Sequence, residues 1–347
     1  MAPELPPPPL RLIVDHGALA ANWRTLDRLS GKARAGAAVK ANGYGLGARA
    51  VVRTLADAGC RDFFVAHWQE AAALLDVVDP ASISVLHGPA TNEEACWAKA
   101  SGVRPVLNSL AQVARWREIG GGHCDVMVDT GINRLGLALG DLGDPALAGL
   151  EIDTAMSHLA CADEDNARNA AQLARWRDAC AALKSQRTSL ANSAGIALGP
   201  DYHGDLTRPG LALYGGIPRA ELASDIVQVA RIETMILQVR QIAPGDAVGY
   251  NATFVAARPL RVGTVALGYA DGFLRAWSDR GMLRSGSAAL PVIGRVSMDM
   301  SSVDLSAAPG LGEGDWVSVD YALPAAALAS GLSQYELLTL LGQRFSR

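Results

Sequence analysis

Signatures of several protein classes are missing from this sequence of 347 residues. Its five cysteines, an odd number without CxxC spacing, are Cys60, Cys96, Cys124, Cys161 and Cys180. This argues against a zinc ribbon or a disulfide framework and favours free thiols in a reducing compartment. HExxH, GxSxG and a GxGxxG after the first predicted strand are also absent. A metal site and a serine hydrolase therefore have little support, and a dinucleotide-binding fold is disfavoured.

The sequence also has no large excess of positive or negative charge and no long apolar run. The net charge is −4 and the 31 basic residues are spread along the chain, which predicts neither a nucleic-acid partner nor a membrane partner. No run approaches the roughly 18 apolar residues of a membrane span. The proline-rich stretch Met1–Leu10 lacks the pattern of a signal peptide. Half of the residues are hydrophobic, which is typical of a globular protein with a large core. Since the sequence shows neither a signal peptide nor a membrane span, we expect this protein to be cytoplasmic.

The first 215 residues repeat one pattern, in which short β-rich runs alternate with stretches of helical spacing. The predicted strands are Gly36–Lys40, Asp62–His67, Ser82–His87, Val103–Asn108, Asp125–Asp129, Ile152–His158, Ser189–Ser193 and Gly210–Tyr214. The predicted helices include Ala18–Leu29, Ala48–Ala58, Glu93–Ala100, Leu110–Ile119 and Glu164–Ser185. Eight such units predict a closed (β/α)8 TIM barrel over residues 1–225, with an open doubly wound sheet as the alternative.

Beyond about residue 225 the pattern changes to strands joined by tight turns. The predicted strands are Val227–Ile242, Asp246–Tyr250, Leu260–Leu267, Leu290–Ile293, Ser302–Leu305 and Trp316–Asp320, and only Pro324–Ala329 and Gln334–Leu341 have helical spacing. This predicts a mostly antiparallel β domain over residues 226–347. Residues 10–14 (LRLIV) are a further candidate strand, which pairs either with the barrel or with this second domain.

Polar groups close several predicted barrel strands, where the catalytic groups of TIM barrels cluster. Lys40 ends the run GAAVK. Either it simply reaches solvent, or desolvation lowers its pKa and makes it an amine that traps carbonyls. The following ANGYGLG has glycines that allow the backbone to approach a ligand, and Tyr44 adds a hydroxyl. His158 ends the sixth predicted strand as a structural or a catalytic group.

The connections around the seventh and eighth predicted strands are the habitual phosphate site of this fold. They contain Ser193, which offers a hydroxyl, and Gly210, which exposes backbone N–H groups. Together with a lysine at a strand end, they suggest a ligand that is a phosphorylated aldehyde.

The string AAVKANGYGLG resembles the lysine motif of the alanine racemases, which use pyridoxal 5′-phosphate (PLP). Further strings resemble blocks of that family in the same order and cover nearly the whole chain. They are VDTGINRLG (Val128–Gly136), SHLACADE (Ser157–Glu164), NSAG (Asn192–Gly195), TRPGLALYG (Thr207–Gly215), GYADGF (Gly268–Phe273) and GRVSMD (Gly294–Asp299). The resemblance implies a racemase that interconverts L- and D-alanine. Supply of D-alanine for biosynthesis is the usual role in that family, and a degradative role is equally compatible with the sequence.

The resemblance also implies the roles of individual residues. Lys40 carries PLP as a Schiff base and serves one face of the substrate. The phosphate is held by Tyr44, Ser193 and the backbone of Gly210 and Leu211. Arg208 faces the pyridine nitrogen, and the nearby His158 supports the second acid/base.

That second acid/base is Tyr269, which by resemblance reaches the site of the other subunit. A homodimer with two shared sites is therefore implied. The backbone of Met298 comes with Tyr269 and contacts the substrate carboxylate, and Arg134 is the second partner of that carboxylate.

Two positions depart from the family pattern. Met127 stands where some members carry a modified lysine that orients the arginine corresponding to Arg134. Either Asn133 or a bound anion steadies Arg134 here, or the arginine is held more loosely. Gln343 stands where the family has a tyrosine that narrows the site. Serine, or a broader range of small amino acids, is therefore an alternative substrate.

Two other functions compete with racemisation. A PLP-dependent decarboxylase of basic amino acids would carry an acidic group at the position of Arg208 and lack the tyrosine of GYADGF. A non-catalytic PLP-binding barrel would not need the second domain.

Overall fold

A computed structural model gives the structure of this protein and describes residues 5–346. These residues form two compact units, one from His16 to Val227 and one that combines the chain up to Asp15 with the chain from Gln228 onward. The first strand, β1 (Leu10–Val14), belongs to the second of these units and pairs antiparallel with residues 230–234. Within the described residues, no helix has the length and apolar character needed to span a bilayer.

The unit from His16 to Val227 alternates short strands with helices. Its strands are β2 (Arg34–Ala35), β3 (Ala37–Ala38), β4 (Phe63–Val65), β5 (Ile83–Val85), β6 (Arg104–Leu107), β7 (His123–Met127), β8 (Glu151–Met156), β9 (Arg187–Ser189) and β10 (Leu206–Thr207). Its α-helices are α1 (His16–Leu29), α2 (Lys40–Tyr44), α3 (Ala48–Ala58), α4 (Trp68–Ala72), α5 (Asn92–Ser101), α6 (Leu110–Glu118), α7 (Ala167–Ala182) and α8 (Ser193–Ala197).

The strands of this unit close into a barrel. β3 to β9 form a parallel sheet in sequence order, and β10 pairs in parallel with β2. The Gly36 N–H donates to the Thr207 carbonyl at 2.9 Å, and the Arg208 N–H donates to the Ala191 carbonyl at 2.8 Å. The segment at β10 is therefore bonded both to the first barrel strand and to the chain that follows β9. This confirms the predicted (β/α)8 barrel.

The eighth barrel strand is not where the sequence pattern placed it. The strand is Leu206–Thr207, whereas residues Leu211–Tyr214 of the predicted strand form a buried 3-10 helix. Pro209 cannot donate a ladder hydrogen bond, and Gly210 has φ −129° and ψ −88°, so the extended chain ends there. Similarly, the predicted strand Ser189–Ser193 stops at Ser189, and Ser193 begins α8.

The barrel interior is filled by apolar side chains from different strands. Phe64, Val106, Met127, Met156 and Leu206 form one buried cluster, and Leu86 packs against it. Such layers make the interior of a TIM barrel a packed core and leave its chemistry to the rim.

The helices around the barrel begin at side-chain caps that the sequence supplies. Thr91 accepts a hydrogen bond from the Glu94 N–H, and Ser109 accepts one from the Gln112 N–H. α3 buries Val51, Val52 and Leu55 on one face, as its spacing of apolar residues predicts.

The second unit is mostly antiparallel, as predicted. Its remaining strands are β11 (Ala230–Ile242), β12 (Ala247–Val248), β13 (Phe254–Val255), β14 (Leu260–Val265), β15 (Met282–Ser285), β16 (Ala288–Pro291), β17 (Ser301–Asp304) and β18 (Trp316–Val319), and its helices are α9 (Leu323–Ser330) and α10 (Gln334–Thr339). The main sheet has the order β16-β15-β18-β11-β14-β17, and β1 pairs with β11. Leu260 and Val262 of β14 form a buried cluster with Val248, Ala256 and Ile293.

Candidate active site

Lys40 lies where the first barrel strand ends and a left-handed turn begins. Residues 40–44, called the lysine turn below, contain Ala41, Asn42 and Gly43 with φ of 52°, 54° and 63°, and Tyr44 with φ of 53°. Left-handed backbone costs about 1–2 kcal/mol for each non-glycine residue and is found mainly where surrounding structure imposes it. The turn places Lys40 and Tyr44 at the same rim of the barrel.

Tyr44 is held by an aromatic stack beside the backbone of Gly210. Its ring lies 4.5 Å from the ring of Tyr214, whose hydroxyl donates to the Ala38 carbonyl at 2.9 Å. A Cβ atom at position 210 would lie 2.3 Å from the Tyr44 hydroxyl oxygen. Only glycine therefore allows the backbone to approach this hydroxyl so closely.

Ser193 supplies a second hydroxyl at this place. Its Oγ accepts hydrogen bonds from the N–H groups of Gly210 and Ala212, at 2.9 and 3.2 Å. Leu211 begins a 3-10 helix, so its N–H has no acceptor inside that helix. Hydroxyls and backbone N–H groups thus converge in a set of donors suited to a phosphate.

Arg208 is buried beneath the same rim. Its guanidinium donates to the Ser189 hydroxyl and to the Ser157 carbonyl, and it lies 5.9 Å from the centre of the Phe64 ring. Burial lowers the pKa of Arg208 to about 10, so the side chain still carries its charge at neutral pH. Among the described residues, no carboxylate lies within ion-pair distance of this guanidinium.

Four basic side chains influence one another at this rim. Burial, followed by the charges of Arg208, Arg134 and Lys40, lowers the pKa of His158 to about 3 and keeps its imidazole neutral. Burial and the charge of Arg134 also lower the pKa of Lys40 from its usual 10.5. A lysine with a lowered pKa carries more free amine and traps an aldehyde more readily. The concentration of positive charge favours an anionic ligand.

Arg134 lies on an exposed loop that is anchored at its start. The Asp129 carboxylate accepts hydrogen bonds from the N–H groups of Gly131, Ile132 and Asn133, at 2.7, 3.0 and 3.2 Å. In the described part of the chain, no hydrogen bond or ion pair is recorded for the Arg134 guanidinium. Met127 packs into the apolar cluster of the barrel interior. Which of the three alternatives applies to Arg134 therefore stays a prediction.

Tyr269 and Met298 belong to the other compact unit and lie together there. The N–H groups of Tyr269 and Ala270 donate to the carbonyls of Ser297 and Met298, each at 3.0 Å. A Cβ atom at Gly268 would lie 2.4 Å from the Met298 carbonyl oxygen, so the glycine permits this approach.

The turn of Tyr269 is held by an ion pair whose carboxylate is buried and whose arginine is half exposed. Asp271 is fully buried, and its carboxylate accepts hydrogen bonds from Arg344 at 2.7 and 2.8 Å and from the Gly268 N–H at 3.0 Å. The segment that contains Gln343 is thereby joined to the turn of Tyr269, because Arg344 is its neighbour in sequence.

Comparison with known proteins decides the family. Residues 14–218 match the family described as alanine racemase, N-terminal domain, and residues 229–347 match alanine racemase, C-terminal domain. This chain belongs to the alanine racemase family. The resemblance seen in the sequence motifs is thereby confirmed.

Relatives of this alanine racemase family member match along nearly its whole length. A protein of Agrobacterium fabrum described as "Alanine racemase, catabolic" is 45% identical and covers 97% of this chain and 91% of that protein. Its "Alanine racemase, biosynthetic" counterpart in the same organism is 41% identical and covers 98% and 93%. The two identities are too close to separate a catabolic from a biosynthetic role.

A solved alanine racemase shares the fold. The structure from Bartonella henselae, with covalently bound pyridoxal phosphate, has a TM-score of 0.91 and 35% identity and covers 98% of this chain and 99% of that one. The biosynthetic enzyme of Pseudomonas aeruginosa has a TM-score of 0.89 and 34% identity, with the same coverage.

Sequence reasoning missed the residues that hold the site from outside it. Ser157 and Ser189 orient Arg208, and the carboxylate of Glu70 accepts a hydrogen bond from Ala41, the residue after Lys40. Ser157 is the first residue of the SHLACADE string, so that motif already contained it. Glu70 is remote from Lys40 in sequence, and only the folded chain brings them together.

Proposed function

We propose that this chain interconverts L- and D-alanine, with PLP bound to Lys40. The observation that carries this proposal is a lysine of lowered pKa at the barrel rim, beside a cradle of hydroxyls and backbone N–H groups. Membership of the alanine racemase family supplies the substrate.

The residues at the rim fit PLP. The phosphate would be held by Tyr44, Ser193 and the N–H groups of Gly210 and Leu211, where any side chain at position 210 would collide with the Tyr44 hydroxyl. Bound PLP supplies an electron sink that acidifies the α-carbon of an amino acid joined to it.

Arg208 would face the pyridine nitrogen. A buried guanidinium that keeps its charge donates hydrogen bonds and does not supply a proton, so Arg208 would leave that nitrogen unprotonated. Arg208 would thereby weaken the electron sink that PLP supplies and favour prompt return of the proton over transamination. The decarboxylase alternative, which needs an acidic group here, is therefore disfavoured.

Racemisation requires proton exchange on both faces of the α-carbon. Lys40 serves one face, because burial and the charge of Arg134 lower the pKa of its amine, so that the free base is present at lower pH than in an ordinary lysine. Tyr269 of a second chain serves the other face, with the neutral His158 as its hydrogen-bond partner. A proton removed on one side and returned on the other inverts the configuration.

The substrate carboxylate would be held by Arg134 and the backbone of Met298. An exposed arginine without a recorded protein partner remains available to a carboxylate. Gln343 would leave more polarity near the substrate than a tyrosine, so serine is the second substrate to test.

Because the proposed site takes Lys40 from one chain and Tyr269 from another, the active protein is a homodimer. Apolar side chains of the second unit are exposed at Tyr250, Val255, Met298 and Met300, with fractions between 43% and 64%. Tyr250 and Met300 also line one cavity, and apolar side chains exposed together are common at protein interfaces. All five cysteines are free thiols, in keeping with the cytoplasmic location that we propose.

Exchange of the α-hydrogen in deuterated water tests the function. We expect L-alanine to give α-deuterated alanine of both configurations. Formation of an amine would indicate a decarboxylase, and recovery of unlabelled L-alanine would indicate a protein that only binds PLP. A panel of alanine and serine, measured from both enantiomers, gives the specificity.

A further inference from the structure

The carboxylate of Glu70 joins two segments of the barrel rim. Its Oε1 accepts a hydrogen bond from the Ala41 N–H at 2.6 Å, and its Oε2 accepts one from the Ala66 N–H at 2.7 Å. Ala41 directly follows Lys40, and Ala66 directly follows β4. Hydrogen bonds to a carboxylate are shorter and stronger than those between neutral groups. Glu70 therefore ties the start of the lysine turn to the neighbouring strand.

The lysine turn needs such support because its backbone is left-handed. Within the turn and its flanks, the Gly43 N–H donates to the Val39 carbonyl and the Gly45 N–H donates to the Ala41 carbonyl, each at 2.8 Å. The Asn42 side chain accepts from the Ala48 N–H at 2.9 Å. Glu70 adds a contact from a different βα unit, made to the residue next to Lys40.

Neighbouring βα units show which part of this arrangement is unusual. Glu94 occupies the same position in the first turn of α5 and accepts from the Ala90 N–H at 2.6 Å. Gln112 occupies this position in α6, and its side-chain oxygen accepts a hydrogen bond from the Asn108 N–H at 2.8 Å. The bond from Glu70 to Ala66 repeats this helix-start pattern. Its bond to Ala41 goes beyond the pattern and reaches the lysine turn.

Glu70 also acts on Lys40 through its charge. Burial and Arg134 lower the pKa of Lys40, whereas the negative charge of Glu70 raises it. His158 also lies within electrostatic range of Lys40, but it is neutral because its own pKa is about 3. Glu70 is thus the negative group that opposes the cations around this amine.

We infer that Glu70 is a positioning residue for Lys40, whose carboxylate holds the lysine turn and balances the cations around the amine. This rests on the proposed function, in which Lys40 carries PLP. Glu70 acts on the aldehyde-trapping amine through its bond to the Ala41 backbone and through its charge.

Recombination of PLP with the apoprotein tests the inference without measuring turnover. The rate is followed by visible absorbance across a range of pH for wild type, Glu70→Gln, Glu70→Asp and the matched control Glu94→Gln. Only the unprotonated amine attacks an aldehyde. The titration of PLP itself is common to all variants, so differences between their profiles report on Lys40.

Glu70→Gln should move the midpoint of this profile to lower pH, because the opposing negative charge is gone. Its plateau rate should fall by about tenfold, because an amide cannot accept from both N–H groups. Glu94→Gln should keep the wild-type midpoint and plateau. Glu70→Asp keeps the charge and should restore the midpoint at least in part. A Glu70→Gln profile equal to that of Glu94→Gln overturns the inference.

Borohydride reduction separates this inference from the proposed function. The chain has four lysines, Lys32, Lys40, Lys99 and Lys184, so peptide mapping of the reduced wild-type protein locates the PLP adduct. An adduct on another lysine refutes the proposed site. An adduct on Lys40 together with a wild-type profile for Glu70→Gln refutes the role of Glu70 alone.

Discussion

Substitution of Gly210 by alanine should weaken PLP binding through a collision with Tyr44. The new Cβ would lie 2.3 Å from the Tyr44 hydroxyl oxygen and 3.0 Å from the adjacent ring carbon. An ordinary contact is about 3.5 Å, so more than about 1 Å of separation is missing. The tyrosine cannot easily withdraw, because its ring stacks on Tyr214. Overpacking of this kind costs about 1–3 kcal/mol.

The PLP-bound state needs Tyr44 in this place to hold the phosphate, whereas the apoprotein can let it move, so the cost falls on the bound state. The Kd for PLP should therefore rise by about 5- to 150-fold, since 1.4 kcal/mol corresponds to tenfold. Titration of the apoprotein with PLP measures this, and urea unfolding measures stability. Gly140→Ala is the matched control, because nothing lies within 4 Å of a Cβ there. Adding Tyr44→Phe to Gly210→Ala should recover stability but not affinity. Equal PLP affinity in Gly210→Ala and Gly140→Ala would refute the steric reasoning.

Three further predictions concern the surroundings of the site. The pKa of His158 falls from 6.5 to about 3 on folding. Between these two pH values the unfolded chain binds a proton at His158 that the folded chain does not bind. The free energy of unfolding should therefore fall by about 1.4 kcal/mol per pH unit as the pH drops from 6.5 towards 3. His158→Gln should lose that part of the slope in urea unfolding of the apoprotein. Met127→Leu should change stability by less than about 1.5 kcal/mol and leave the KM for alanine unchanged, because Met127 only fills the apolar interior. Arg344→Gln should lower the free energy of unfolding by about 1–3 kcal/mol, because the buried Asp271 carboxylate loses a charged donor but keeps the Gly268 N–H, and because Arg344 itself is half exposed, whereas Arg284→Gln breaks an exposed pair and should cost at most about 1 kcal/mol.

The barrel could be predicted because its strands are buried on both faces. β4 (FFV) is wholly apolar, β5 (ISV) is wholly buried, β6 (RPVL) is buried after its first residue, and all three alternate with helices of clear spacing. The same property misled the prediction of the eighth strand. Leu211–Tyr214 is apolar and entirely buried, so periodicity cannot distinguish a strand from a 3-10 helix there.

The conformation of the lysine turn could not be predicted from local preference. Ala41 and Tyr44 have positive φ, which their side chains disfavour, and the contacts that fix them come partly from Glu70 in another βα unit. The glycines of ANGYGLG indicated a tight turn but not its handedness. Likewise, the serines that orient Arg208 come from β9 and the end of β8, so their relation is a product of barrel closure.

A mixture of two inactive variants tests most directly the claim that Lys40 and Tyr269 of different chains serve the two faces of the substrate. Lys40→Ala and Tyr269→Phe are each purified, mixed in equal amounts, dissociated and reassociated. A hybrid dimer then has one complete site, so the mixture should recover about a quarter of wild-type racemase activity if chains pair at random. Recovery near this level supports the shared site. No recovery, with hybrid dimers demonstrated by mass, would contradict it.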